Sequence, residues 1–314
     1  MQLKELIELF LADVCAGKTN ETPGTYRRKL HRFQEYLGNV SAEELNPSSL
    51  KRFKQALLTQ NEHYRGSHNI VKGKLSVWGI RSVLQTAKHF GHWLFENEYT
   101  SVDIAANIKL PKAPPVDPKY VSEQTVTGLI KGASLQGEQW ERARNIAFIY
   151  LLRDSGGRVG ALLSARLDEL DLNAGELAAW SKGKRGFLYF NAATAQALRL
   201  WLIERETLHP STELLFTNNH GENFSREGCR WMLKRIAKRG GVDGQRINAH
   251  AFRHAFARDL LRSHNADLSQ VSRLMWHSGV NVTADYYARW DTAELKQIHH
   301  LASPGANLPM PKKE

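Results

Sequence analysis

The feature that most constrains the fold of this chain is a proline-rich segment about one third of the way along it. Four prolines fall within the eight residues 111–118. Proline fixes φ and has no backbone N–H, so such a segment cannot be helical and favours an extended chain. We therefore predict a linker at residues 109–121 between two separately folded domains, because 314 residues are enough for two hydrophobic cores.

Residues 1–108 carry the apolar spacing of amphipathic α-helices. Apolar positions recur every three to four residues, and turn-forming pairs such as Asn46-Pro47 and Gly66-Ser67 separate the periodic stretches. This pattern predicts a small helical bundle as the first domain. Its helices are expected at about residues 2–16, 23–38, 47–60 and 69–97.

Residues 122–290 combine helical periodicity with one pair of short aromatic-rich segments. These segments, 177–180 and 187–190, flank the basic, glycine-containing turn 182–186, which predicts a β-hairpin. The expected fold class is therefore mainly α with a small β-hairpin or sheet. The helices are expected at 122 onward, 143–152, 158 onward, 192–206, 225–239, 248–264, 267–276 and 280–289, and one more near 291–301 in a C-terminal tail, 291–314.

The chain is basic, because its 43 Lys and Arg residues exceed its 32 Asp and Glu residues and give a formal net charge of +11. The excess is spread along the chain: residues 1–118 hold 16 basic and 12 acidic residues, which leaves 27 and 20 for the remainder. A polyanion is the expected partner, with nucleic acid ahead of an acidic membrane surface. Excess charge that only maintains solubility would give the same composition.

Signals for export, membrane insertion or disulfide formation are not evident. The start of the chain lacks a basic region, and its apolar stretch contains Glu8 and Asp13, so we expect a first helix and not a signal peptide. No apolar run reaches the roughly 18 residues that a membrane span needs. Cys15 and Cys229 lie far apart without partners at metal-ligand spacing, which excludes a disulfide framework and a cysteine-based zinc site. We expect a cytoplasmic protein without membrane contact.

Four polar clusters in the second domain have side chains that could carry chemistry. Taken singly, each also fits a structural role: a glycine-rich helix boundary, a solvated turn, a core histidine, or packing tyrosines. Two histidines four residues apart could bind zinc, but the glutamate of an HExxH motif is absent. Together the clusters supply the hydroxyl nucleophile, the cations and the acid that phosphoryl transfer needs. They are Gly156-Gly157-Arg158, the turn with Lys182, the helical face of His250, Arg253 and His254, and the segment 276–287 with His277 and Tyr286-Tyr287.

The order and spacing of these residues resemble the tyrosine recombinases, the phage integrase family. His250 lies three residues before Arg253, and Tyr286 lies nine residues after His277. The resemblance covers the whole chain and implies the simple two-domain type without an arm-binding domain. It implies a helical, SAM-like core-binding domain at 1–108 and an α+β catalytic domain at 122–290. The six matching positions are Arg158, Lys182, His250, Arg253, His277 and Tyr286.

The resemblance also implies an activity: a site-specific DNA recombinase or integrase, of the kind carried by mobile elements. Tyr286 would attack a DNA phosphodiester and form a 3′-phosphotyrosine, while the two arginines hold the non-bridging oxygens. His250 and His277 would hydrogen-bond the phosphate or assist proton removal from the tyrosine, and Lys182 would protonate the departing 5′-oxygen. This chemistry needs no metal, ATP or other cofactor.

The partner implied by the resemblance is double-stranded DNA with inverted-repeat core sites. A homotetramer on two DNA sites would carry out strand exchange, whereas the free protein would be a monomer or a weak oligomer. Residues 291–314 would dock on a neighbouring subunit. The protein would be associated with the nucleoid when bound.

Two positions depart from the family pattern. Ala161 stands three residues after the arginine, where the family usually has Glu or Asp, and Trp276 replaces the usual glycine before the histidine. The missing carboxylate leaves a second function open, a catalytically weakened DNA-binding protein of the same fold. A type IB topoisomerase-like enzyme uses similar residues and is the third alternative.

Overall fold

A computed structural model divides the chain into two compact units, Met1–Pro115 and Val116–Glu314. The residues that the structure describes are 1–16, 21–60, 62–64, 70–114, 119–135, 137–181, 183–245, 247–263, 266–277 and 279–287.

The first unit is a helical bundle with a small two-stranded hairpin. Asn46 caps the third helix by accepting from the Ser48 backbone N–H at 3.0 Å, and Ser76 caps the fourth by accepting from Gly79 at 3.1 Å. The elements are α1 Leu3–Val14, α2 Glu21–Leu37, α3 Pro47–Thr59, β1 Glu62–Tyr64, β2 Ile70–Lys72 and α4 Val77–Glu96.

The prediction of one helix over 69–97 is wrong at its beginning. Residues Ile70–Lys72 form a strand that pairs antiparallel with Glu62–Tyr64. Gly73 follows with φ of +119°, a conformation that ends the strand and cannot lie within a right-handed helix. The helix therefore begins only after the Ser76 cap.

Aromatic rings fill the core of the first unit. Phe10 of α1 makes edge-to-face contacts with Phe90 and Trp93 of α4, at centroid distances of 5.3 and 5.5 Å. Such pairs add about 0.5–1.5 kcal/mol each beyond the area they bury. The indole of Trp93 also donates to the Asp13 carboxylate at 2.6 Å, which satisfies its polar group.

Three basic side chains of the first unit bind backbone carbonyls at the end of the predicted first domain and the start of the predicted linker. Lys54 donates to the Lys109 carbonyl at 2.8 Å, and Lys88 donates to the Ile108 carbonyl at 3.0 Å. Arg81 donates to the Pro111 carbonyl at 2.6 Å. The proline-rich segment thus leaves the bundle with its first residues bound to α3 and α4.

The second unit is helical with a three-stranded antiparallel sheet of order β3-β4-β5. Its helices are α5 Glu123–Ser134, α6 Gln139–Ser155, α7 Val159–Leu163, α8 Ala192–Glu206, α9 Arg226–Arg239, α10 Ala249–Ser263, α11 Leu268–Leu274 and α12 Val280–Tyr287. Its strands are β3 Leu170–Asp171, β4 Glu176–Ser181 and β5 Lys184–Tyr189. The predicted fold class, mainly α with a small sheet, is confirmed.

The β4–β5 hairpin has a tighter turn than the sequence predicted. Ser181 pairs with Lys184, so only residues 182 and 183 join the strands. Gly183 has φ of +75°, a left-handed conformation that glycine adopts readily and that type I′ hairpin turns have at their second central residue. The predicted turn 182–186 was therefore too long, and Lys184 to Gly186 belong to β5.

Helix α6 lies at the centre of the second unit. Its Phe148 is fully buried and packs edge-to-face on Phe216 at 4.9 Å between centroids. Helices α5 and α9 approach so closely that a side chain on Gly132 would collide with the carbonyl of Ile236. Glycine at position 132 therefore allows the backbones of α5 and α9 to pack in direct contact.

Both cysteines of the chain are free and buried, Cys15 in the first unit and Cys229 in the second. Burial raises the pKa of the Cys229 thiol to about 12. Across the described ranges, no helix is both long and apolar enough to traverse a bilayer.

Candidate active site

A glycine turn brings Arg158 to the start of α7. Helix α6 ends at Ser155, and Gly156 adopts φ of +58°, where a side chain would collide with the ring of Phe256 on α10. Only glycine combines this left-handed conformation with this close approach. Arg158 follows two residues later as the N-cap of α7, so its position is set by the packing of α6 against α10.

Arg253 of α10 connects two loops from inside the protein. It is only 4% exposed. One guanidinium nitrogen donates to the Gly156 carbonyl at 2.7 Å, and the other donates to the Met275 carbonyl. The planar guanidinium suits this task because its donors lie in a fixed fork. Arg253 therefore holds the turn before Arg158 next to the turn before His277.

Arg158 makes a second pair of connections. Its Nη1 donates to the Ser181 hydroxyl at 3.1 Å, at the end of β4, and its Nη2 donates to the Trp276 carbonyl at 3.4 Å. Burial lowers the pKa of Arg158, but an arginine remains a cation at any physiological pH. The α7 start, the β-hairpin and the loop before His277 thus meet at one guanidinium.

His277 lies among cations and is neutral at physiological pH. Its Nδ1 is 2.8 Å from the hydroxyl of the buried Thr283 on α12, which fixes the orientation of the ring. The pKa of His277 is lowered to about 4, most of all by burial and in addition by the nearby cations Arg253 and Arg158 and by His250 and His254. These electrostatic effects also show that the five side chains form one cluster.

His250 and His254 lie on one face of α10, as their spacing predicted. Their rings meet edge-to-face with centroids 4.6 Å apart. His254 is therefore a member of the cluster, although the sequence pattern did not place it among the catalytic residues. Its position four residues after His250 was the available signal, because residues i and i+4 are neighbours on a helix.

The structure brings four of the six predicted site residues together: Arg158, His250, Arg253 and His277. Tyr286 belongs to α12, of which the structure describes the helical backbone at that position. Lys182 lies outside the described residues, but its sequence neighbours Ser181 and Gly183 are described, and Ser181 contacts Arg158. The predicted tail 291–314 also lies outside them.

Two supporting residues were missed at the level of the sequence. Ser181 and Thr283 hold Arg158 and His277 through their hydroxyls. Ser181 directly precedes Lys182, and Thr283 precedes Tyr286 by three residues, but neither spacing predicts a contact of the hydroxyl with Arg158 or His277. Their role depends on tertiary contacts.

Ala161 is buried in the apolar core of the second unit at 3% exposure. Where the family pattern has a carboxylate, this chain has a methyl group that neither accepts a hydrogen bond nor carries charge. Backbone carbonyls and hydroxyls, and not a carboxylate at position 161, contact Arg158, Arg253 and His277. In the described part of the chain, no group of three or more His, Cys, Asp or Glu side chains could hold a metal ion.

A basic groove lies between α2 and α4 in the first unit. It has a volume of about 820 Å³, and its basic side chains outnumber its one carboxylate. On the α2 side it is lined by Thr25, Arg27, Arg28, Lys29, His31, Arg32 and Glu35. Burial lowers the pKa of Lys29, and the charge of the neighbouring Arg28 lowers it further. The second effect is expected where cations are crowded. The net charge of the domain could be read from the sequence, but the face that carries this groove could not. The signal was the basic run at residues 27–32, which lies on one amphipathic helix.

The low pKa of His277 predicts a loss of stability in mild acid. Its pKa is about 4 in the folded protein and 6.5 when unperturbed, so between these values the unfolded chain binds a proton that the folded chain does not. Stability that is present above pH 6.5 is therefore lost as the pH falls toward 4. Between pH 7.5 and 5.0 we expect the free energy of unfolding of the wild type to fall by on the order of 1 kcal/mol more than that of His277→Asn. This figure is reduced for the partial exposure of the side chain.

This prediction is measured by guanidinium unfolding of both proteins at the two pH values. Asparagine is the control because it keeps a polar contact to Thr283 but does not titrate. A free-energy difference between the two proteins that stays constant with pH would contradict it.

Comparisons with known proteins agree with this geometry. The profile of the phage integrase family matches residues 119–294. The tyrosine recombinase XerD of Listeria monocytogenes is 27% identical over 311 residues, which cover 97% of this chain and 100% of that protein. The tyrosine recombinase XerC of Corynebacterium glutamicum is 27% identical over 295 residues, covering 94% and 89%.

A solved structure shows the same fold. The XerH site-specific recombinase, bound to a palindromic difH substrate in a post-cleavage complex, has a TM-score of 0.69 at 20% identity, covering 96% of this chain and 84% of that one. The family profile spans more than half of the 314 residues. It includes all five side chains of the cluster, Arg158, His250, Arg253, His254 and His277. This chain therefore belongs to the phage integrase family, the tyrosine recombinases.

Proposed function

We propose that this protein is a site-specific DNA recombinase that cuts and rejoins DNA strands through a 3′-phosphotyrosine intermediate. The observation that carries the proposal is the convergence of Arg158, Arg253, His250 and His277 in one partly buried cluster next to α12, the helix of Tyr286. Fixed cations beside a helix that carries a tyrosine supply the components for attack on a phosphodiester.

In the cleavage step, the Tyr286 oxygen forms a bond to phosphorus while the bond from phosphorus to the 5′-oxygen breaks. The phenolic proton leaves to a base, and the departing 5′-oxygen takes up a proton, so charge and atoms balance. The new phosphodiester preserves the energy of the broken one. Attack by a 5′-hydroxyl from another strand therefore rejoins DNA without ATP.

The arginines have the role of stabilising the charge that develops on the non-bridging oxygens. Arg253 and Arg158 are held in place by carbonyls and a hydroxyl before DNA arrives, so little reorganisation is needed during the reaction. A bound phosphate would complement a cluster that otherwise contains only cationic and neutral groups among the five side chains described above.

The histidines are proposed to assist removal of the proton from the tyrosine hydroxyl. A free phenol has a pKa of about 10 and is a poor nucleophile unaided. His277 is neutral because its pKa is lowered to about 4, so its imidazole is available to accept a hydrogen bond or a proton. The phosphate charge would raise this pKa and make the proton transfer easier. Lys182 is proposed as the acid that protonates the leaving 5′-oxygen.

Both units are proposed to contact duplex DNA. The basic groove of α2 and α4 supports phosphate binding by the first unit. In the second unit, Arg226 at the start of α9 lies close to α7: a Cβ on Gly160 would come within 2.8 Å of its guanidinium. This arginine extends the cationic surface next to Arg158.

The assembly is proposed from the chemistry of strand exchange. Exchange between two duplexes requires two strand cleavages on each, which four copies of the chain on two inverted-repeat sites provide. Residues 291–314 are proposed to dock on a neighbouring subunit. We further propose that the protein acts in the cytoplasm, at the nucleoid.

A pool of nicked duplexes with randomised arms around a short spacer tests this function. Cleavage near a nick releases a short fragment and traps the enzyme on DNA, so we expect an adduct that survives SDS and persists in excess EDTA. Sequencing of the trapped duplexes should show inverted repeats. A chain that binds duplexes but is never trapped would be the catalytically weakened alternative. Adducts without sequence preference would favour a topoisomerase-like enzyme, and loss in EDTA with recovery in Mg²⁺ would exclude the metal-independent mechanism.

A further inference from the structure

Trp276 occupies a backbone conformation that suits glycine. Its φ is +50°, in the left-handed region that residues with a side chain rarely adopt. It directly precedes His277, and its carbonyl accepts from Arg158. A large side chain at such a position indicates that its contacts outweigh the strain of the backbone.

Those contacts are made with β5 of the hairpin. The indole Nε1 donates to the Phe187 carbonyl at 3.2 Å. The ring lies against Gly186, where an added Cβ would come within 2.8 Å of the indole. Trp276 and Gly186 are thus complementary. A bulky residue stands in the loop where the family usually has glycine, and Gly186 in the strand leaves room for its ring.

Arg158 and Trp276 together contact both strands of the hairpin. Arg158 binds the end of β4 through Ser181 and binds the backbone of Trp276, while the indole of Trp276 binds β5. The two strands are joined by residues 182 and 183 alone. Both strands are therefore fastened to the catalytic cluster on either side of the turn that contains Lys182.

We propose that Trp276 is a positioning residue that fastens the β4–β5 hairpin to the His277 loop, so that the hairpin is held at the active site before DNA binds. The proposal rests on the proposed function in one respect, the role of Lys182 as the acid for the 5′-oxygen. Trp276 acts through the hairpin and does not itself touch the reacting atoms.

The first test is limited trypsin digestion of the full chain without DNA. Lys184 and Arg185 are exposed trypsin sites at the start of β5. Trp276→Gly removes the indole and relieves the backbone strain, so the variant should fold, and cleavage at these two sites should become at least about tenfold faster. Trp276→Phe keeps a ring but loses the Nε1 donor and should show an intermediate rate. Unchanged cleavage in Trp276→Gly would overturn the proposal.

The second test separates positioning of the acid from general damage. It uses the trapped duplex sequence with either an ordinary 5′-oxygen or a 5′-sulfur at the scissile phosphate, because a thiolate leaves without protonation. Trp276→Gly should cleave the oxygen substrate at least about tenfold more slowly than the wild type but the sulfur substrate at nearly the same rate. Equal slowing of both substrates would contradict the proposal.

Trp180→Phe is the matched control, because Trp180 lies on the same hairpin but is 55% exposed. It should change neither measurement. If the wild type forms no adduct with either substrate, the proposed function fails, and the trypsin rates still decide whether Trp276 holds the hairpin.

Discussion

Tyr286→Phe is expected to bind the trapped duplex as tightly as the wild type and to form no covalent adduct. The substitution removes one hydroxyl oxygen, which is the proposed nucleophile, and leaves the cations that are proposed to bind the phosphate unchanged. Residual cleavage should fall below about one part in a thousand, since without this oxygen the covalent path is closed. The adduct is measured by SDS gel and the affinity by titration of the same duplex.

Tyr287→Phe is the control for this prediction. Adjacent residues on a helix point about 100° apart, so the two phenols cannot occupy the same position at the phosphate. Tyr286 lies three residues after Thr283, whose hydroxyl contacts His277, and at the family spacing from that histidine. The control should keep the adduct, and peptide mass spectrometry should find the nucleotide on Tyr286. A nucleotide found on Tyr287 would reverse the assignment.

Arg253→Lys is expected to reduce the cleavage rate by about 10²- to 10³-fold although the charge is kept. A lysine has one donor group on a flexible stem and cannot reach the Gly156 and Met275 carbonyls as the guanidinium fork does. A buried carbonyl then lacks its donor, so the variant should also lose about 1–3 kcal/mol of stability. Single-turnover cleavage and denaturant unfolding measure the two effects.

Arg262→Lys is the control for an arginine-to-lysine replacement, because Arg262 is exposed on the same helix. It should change the cleavage rate by no more than about twofold and the free energy of unfolding by no more than about 0.5 kcal/mol. If Arg253→Lys cleaves DNA at the wild-type rate, a positive charge suffices at this position and the geometric argument is wrong.

Periodicity and motif order predicted much of this molecule. The class of fold and the family are confirmed, and helix α8 begins and ends at the residues that the pattern indicated. The placement of His250 and Arg253 on one face follows from helical geometry alone, because an interval of three residues is nearly one turn. Local signals of this kind suffice when an element is long and regular.

Other features depend on contacts that no local pattern contains. The β1–β2 hairpin was missed because its strands have three residues each, too few for an alternating pattern to be distinguished from a helix. The two carbonyls bound by Arg253 come from segments about 100 and 20 residues away in the chain. Trp276 could be recognised in the sequence as a departure, but its match with Gly186 required the fold.

The burial of both cysteines has a practical consequence for experiments on this protein. A thiol with a pKa of about 12, as in Cys229, is almost entirely protonated at neutral pH and does not react with maleimides at a useful rate. Cys15, enclosed in the core of the other unit, is shielded by packing. A single cysteine introduced on the surface would therefore carry a fluorophore with little background, and movements of one unit during strand exchange could be followed without first removing the native thiols.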